Sequence, residues 1–169
     1  VMRFVVLALA LLVSSASPGI AADEPVPAAK EPVKVLSKPE RLDALFADLK
    51  KAKSPAAAEG IAGRISREWA DSGSASVNVM MKWADEAMDA KNYAVALDFL
   101  DQIVVLQPGY AEGWNRRATL HFMMDNYAKS MADIEKTLEL EPRHYGALSG
   151  MGQIFLAVDN KQLALRSYE

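Results

Sequence analysis

The chain repeats itself. Shifted by 34 residues, Asn92-Tyr93-Ala94 falls on Asn126-Tyr127-Ala128, and Leu106 and Pro108 fall on Leu140 and Pro142. Ala84 falls on Ala118 and then on Gly152. Ala96 falls on Ser130 and Ala164, and Asn92 on Asn126 and Asn160. A unit of this length holds two helices and their turns. One such hairpin cannot bury its own apolar face, so units must stack, and about three are the minimum for stability. The spacing has a physical cause. Small residues let antiparallel helices approach, large ones fill the gap between hairpins, and Pro108 and Pro142 end helices and turn the chain.

The second copy, residues 111–144, resembles the tetratricopeptide repeat (TPR) family position by position. Trp114 stands at that family's tryptophan, Ala118 and Ser130 at its small residues, Ile134 at its large apolar one and Pro142 at its closing proline. The first copy, 77–110, has Met80, Ala84, Ala87, Ala96, Leu100, Ile103 and Pro108 at equivalent places. The third, 145–169 and incomplete, has Leu148, Gly152, Phe155, Ala164 and Tyr168. Arg117, His121 and Thr137 replace the family's leucine, tyrosine and alanine, and are expected to weaken single contacts. The resemblance implies an all-α solenoid of stacked antiparallel helix hairpins, wound as a right-handed superhelix. The third copy stops inside its second helix, which reads either as a C-terminal fragment or as an open edge that stacks on another molecule.

Three segments precede the repeats. Met2 and Arg3, the apolar run Phe4 to Val13, then small residues up to Ala22, have the layout of a secretory signal peptide, residues 1–22. Ten residues of helix rise about 15 Å, half a bilayer core, which disfavours a retained anchor. Residues 23–38, with prolines at 25, 27 and 32, read as an extended linker. Residues 39–73 read as a helical hairpin. Ser37 and Glu40 form a capping box, Leu42, Leu45, Phe46 and Leu49 make one apolar face, and Ser54-Pro55 restarts a helix faced by Ile61, Ile65 and Trp69. Gly73 suits a left-handed turn after it.

Composition narrows the function. Of 169 residues, 19 are Lys or Arg and 22 Asp or Glu, a net charge of −3, which gives no basic face for nucleic acid. There is no cysteine, so disulfides, thiol catalysis and thiolate metal sites are excluded. The two histidines, His121 and His144, have no metal-ligand partner at helical spacing; a packed His121 and a capping or exposed His144 are expected. Asp85, Glu86 and Asp89 read as a solvated face. No catalytic constellation is found, and neither metal nor cofactor is expected.

The remaining functional surface is the groove that the resemblance implies, lined by the first helix of each unit. By position it offers Asn78, Met81, Lys82, Asp85 and Met88, then Glu112, Asn115, Arg116, Thr119, Phe122 and Met123, then Ser149 and Gln153. Met81, Asp85, Gly146 and Gly150 stand where chaperone-binding members carry Lys, Asn, Lys and Arg, so binding of chaperone C-terminal tails is disfavoured. The methionines either pack between the helices or serve adaptable apolar recognition, and Arg116 or Lys82 suits an acidic group on the partner. The expected function is non-catalytic protein or peptide binding as a scaffold of the cell envelope, exported and periplasmic in a Gram-negative host. No nucleic acid is expected as partner, nor membrane once the signal is cleaved. Self-association through the open edge of the third unit is one alternative; an accessory segment of a larger enzyme is another.

Overall fold

The computed structural model describes residues 35–169; the signal-type segment and the linker up to residue 34 lie outside them. Among the described residues there are eight α-helices and no strand. They are α1 (Lys38–Lys51), α2 (Pro55–Ala70), α3 (Ala75–Asp89), α4 (Tyr93–Leu106), α5 (Ala111–Met123), α6 (Tyr127–Leu140), α7 (Tyr145–Ala157) and α8 (Lys161–Tyr168). None is long and apolar enough to cross a membrane.

The first hairpin forms from local signals. Ser37 accepts from the Glu40 amide while the Glu40 carboxylate accepts from the Ser37 amide, closing the capping box. The helix therefore begins at Lys38, one residue before the sequence reading placed it. Ser54 caps α2 through the Ala57 amide. Leu42, Leu45, Ile65 and Trp69 form the core of this hairpin, and burial of each large apolar side chain contributes roughly 1.5–3 kcal/mol. Gly73 takes φ +76°, a left-handed conformation that needs no Cβ accommodation, and turns the chain into α3.

The repeat is also a repeat of backbone geometry. Lys91, Asp125 and Asp159 all sit at φ of 56–57°, one period apart. After each, the Asn amide bonds back five residues, Asn92 to Ala87, Asn126 to His121 and Asn160 to Phe155, at 2.7–2.8 Å. The same two-bond C-terminal motif thus ends α3, α5 and α7 and fixes the hairpin angle three times.

Packing follows the small and large classes. Ala84, Ala96, Leu100 and Ile103 are buried in the first unit, and Ala118 and Ile134 in the second. In the third unit the large position is Tyr168, and its opposite is Gly152, where a Cβ would overlap the tyrosine ring. Gly152→Ala gains about 1 kcal/mol of helix propensity but costs about 1–3 kcal/mol in overpacking. The expected result is a displaced α8, read as faster hydrogen exchange of its amides while α5 and α6 stay protected.

Two of the three departures from the family pattern, Arg117 and Thr137, are hydrogen-bonded, while the buried His121 Nδ1 has no hydrogen-bond partner among the described residues. Together the three form a polar seam. Arg117 donates to both carboxylate oxygens of Asp133 at 2.8 Å and to Asp101 at 2.8 Å, and lies 4.9 Å from the Trp114 ring. Thr137 donates to the Asp133 carbonyl and Ser130 to the Ala118 carbonyl, each at 2.8 Å. His121 is buried beside them, its Nε2 4.0 Å from Asp133. Burial lowers its pKa; Asp133 pulls it up, and Arg117 and Lys129 push it down. Arg117 therefore joins α4, α5 and α6, where a leucine would only fill space.

Candidate functional site

The concave face is made by α3, α5 and α7, and the structure divides the expected groove residues into three groups. Met81 and Met88 are not on it. At 7% and 8% exposure they lie in the first unit's core with Val77, Ala84 and Leu100, because their flexible thioethers fold back into the gap between α3 and α4. Phe122 is half-buried, its ring 5.6 Å from Tyr127 and packed on the Ala118–Ile134 cluster.

The second group is held by partners within the chain. Asn78 accepts from the Ser72 amide at 2.9 Å and donates to Asp71 at 3.1 Å, which ties α3 to the turn after α2. Arg116 bridges Asp85 at 3.3 Å and Glu112 at 3.1 Å. Burial raises the Asp85 pKa, Arg116 opposes this, and Glu112 and Asp89 add to it. Asn115 donates to Glu112 at 3.1 Å. Glu112 also meets His144 Nε2 at 2.9 Å. Since His144 Nδ1 accepts from the Ala147 amide at 3.2 Å, its Nε2 carries the proton and donates to Glu112. His144 is thus a helix cap and is 2% exposed, not a surface residue.

Lys82, Thr119, Met123 and Gln153 are exposed, and Ser149 is half-buried. Lys82 meets Glu86 at 3.6 Å along its own helix. Asn115, Thr119, Phe122, Gly146, Gly150 and Gln153 line a cleft of about 120 Å³ between α5 and α7. The two glycines are faced by side chains of the preceding unit: Asn115 and the His144 ring at Gly146, and Ile134 at Gly150. Asn115 and Gly146 also belong to a wider cleft of about 420 Å³, closed on its other side by Ser66, Arg67, Trp69 and Ala70 of α2. The two clefts thus share Asn115 and Gly146 between α5 and α7, and α2 walls the wider one.

That wall is what the sequence reading missed. The first hairpin lies along the rim of the concave face, at the N-terminal ends of α5 and α7. Trp69 stacks on His144 with ring centres 4.2 Å apart and meets Tyr145 at 4.8 Å. Tyr145 donates to the Ala62 carbonyl at 3.1 Å, and Tyr110 to the Ala70 carbonyl at 2.7 Å. Burial pushes the Tyr110 phenol well up, so it stays a donor. Gln107 donates to the Ser72 carbonyl at 2.6 Å. Arg143 pairs with Asp43 and Glu141 at 2.8 Å and covers the Phe46 ring at 4.3 Å. Burial pushes Glu141 up, but bonds from Arg143 outweigh it, and the carboxyl sits below its usual range. One signal was in the sequence: Tyr110 and His144 stand one period apart, and both grip α2.

Among the described residues, no group of three or more His, Cys, Asp or Glu side chains is placed to hold a metal. The site offers shape, aromatic surface and paired charges.

No family model matches the chain. It is 55% identical over 130 residues to a TPR repeat-containing protein of Rhizobium etli, a stretch covering 77% of this chain and 64% of that one. The chain thus spans somewhat less than two thirds of that relative's length. It is 30% identical over 69 residues to anaphase-promoting complex subunit 7 of Dictyostelium discoideum, covering 41% of this chain and 12% of the other. A crystal structure of MamA superposes with a TM-score of 0.52 at 16% identity, over 77% of this chain and 75% of that one, a likeness of fold. The 34-residue period, the stacked hairpins and the Rhizobium relative agree: the chain has the fold of a tetratricopeptide repeat solenoid.

Proposed function

We propose that this protein is a non-catalytic binding scaffold that holds a peptide or protein segment in the concave groove of its repeats. The observation that carries this is the pair of clefts on this face, which share Asn115 and Gly146. The groove combines an aromatic wall with amide side chains and exposed Thr119 and Gln153, a surface suited to an extended or helical segment. The signal-type start supports export, and with it a role in the cell envelope.

Thr119 and Gln153 are suited to a test because neither holds the fold. Thr119 bonds only its own helix, at the Asn115 carbonyl. The full chain carrying Thr119→Arg and Gln153→Arg is cross-linked in its native cells beside the wild type, with fractionation to locate both. Captured partners are expected to fall about tenfold or more, with helicity and melting temperature unchanged. Retention of every partner by the blocked chain would move binding off this face. Exposed Leu165 and Tyr168 on α8 favour a second reading, self-association through that edge, which concentration-dependent mass would reveal.

A further inference from the structure

We infer that the rim of the concave face is a helix-docking site, seated in this state by the chain's own α2, for which an external amphipathic helix carrying an aromatic residue competes. The inference rests on the reading of this face as a binding surface, and it names the class of partner.

Three observations carry it. First, the rim grips α2 through equivalent positions of successive units. Tyr110 and His144 stand at the N-cap positions of α5 and α7 one period apart; one takes the Ala70 carbonyl and the other the Trp69 ring. The rim therefore reads two features that any amphipathic helix can present, an aromatic side chain and the free carbonyls of its last turn.

Second, the contact is of a docking kind. Within the hairpin the core is wholly apolar, Leu42, Leu45, Ile65 and Trp69 with Phe46 against them. Across the rim it changes to ring stacking, hydroxyl-to-carbonyl bonds and the Arg143–Asp43 pair, whose side chains are 41% and 69% exposed. Aromatic anchors with a polar surround are the composition of an interface between separate bodies, not of a repeat core.

Third, α2 leads into a short turn, Asp71 to Ser74, with Gly73 in a left-handed conformation. Rotation there frees the hairpin at the cost of the Asn78 bonds to Ser72 and Asp71 and the Gln107 bond to Ser72, without unwinding α3. While seated, α2 walls the wider cleft. The apparent affinity for an outside helix is then reduced by the fraction of molecules whose rim is free.

The chain has no cysteine, so two introduced thiols are the only ones present. Asp43→Cys with Arg143→Cys replaces the exposed ion pair by a site for a cleavable bis-maleimide tie. The probe is a fluorescent peptide of residues 54–73 offered to the full-length chain, read by anisotropy. A second peptide carrying Trp69→Ala is the control. With the tie closed, binding is expected to be absent. With it cleaved, the peptide is expected to bind about tenfold or more tighter than to the wild type, and the control peptide not at all. The full chain bearing Trp69→Ala gives an independent open state and should bind the peptide likewise. Equal affinity in the tied and cleaved forms overturns the inference, as does failure of both open forms to bind. The Thr119→Arg, Gln153→Arg chain, tied and cleaved in the same way, separates the two readings. If that block spares native partners yet peptide binding still follows the tie, the cleft reading fails and the docking site stands.

Discussion

Replacing Trp69 by alanine is expected to release the first hairpin while the repeats stay folded. Trp69 is 5% exposed, packs on Leu42, Leu45 and Ile65 on one side and stacks on His144 and Tyr145 on the other. Removing a buried tryptophan costs about 3–5 kcal/mol. A small hairpin with four fully buried apolar residues cannot absorb that loss. In a solenoid each unit depends on its neighbours only, so the loss stays local. The measurement is hydrogen exchange. Amides of residues 38–70 should exchange on the timescale of an unfolded segment, and those of α5 and α6 should keep their protection. Trp83→Ala is the matching control. Trp83 is half exposed and its ring meets only Phe99, at 5.6 Å, so a change within about 1 kcal/mol is expected. Loss of protection throughout the chain would show that the hairpin is part of one cooperative body and not an appended element.

The second large effect concerns the polar seam of the second unit. Arg117→Leu restores the residue that the family carries, yet it is expected to destabilise the protein by about 3–5 kcal/mol. The reason is Asp133, which is 5% exposed and would keep its charge without its bidentate partner. The double variant Arg117→Leu, Asp133→Ala removes both charges together. It is expected to recover most of the loss, because an apolar pair of adequate volume commonly equals a buried ion pair. Urea midpoints of the two single variants and the double, at unchanged slope, give the coupling. A consensus leucine that stabilised the chain on its own would mean that Asp133 is reached by water once the arginine is gone.

What the sequence made legible is what repeats locally. Caps at Ser37 and Ser54, the turn at Gly73 and the small positions Ala84, Ala118 and Gly152 each follow from neighbours within a few residues or from one period. The concave face was only partly legible. Met81 and Met88 stand at positions that the family pattern assigns to the groove, but with Val77 and Ala84 they also make one stripe of α3 at helical spacing, and that stripe is the buried one. Arg117 read as a defect because its partners, Asp101 and Asp133, are each 16 residues away on other helices. The seating of α2 had no local signal at all. Periodicity shows that Ile65 and Trp69 need cover, but the cover comes from Tyr145 and His144, two units further on.

That distance has a consequence for biosynthesis. The Ser66–Tyr145 bond closes a span of 79 residues, and the Asp43–Arg143 pair one of 100. At about 5–20 residues per second, the first hairpin waits roughly 4–16 s after its own synthesis before Tyr145 is made. During that interval Trp69 has one wet face, while each repeat can close on its predecessor as soon as it emerges. The first hairpin is therefore seated only once α7 has begun to emerge, and the nascent chain passes through a stage in which an aromatic-bearing helix is free for whatever holds immature proteins.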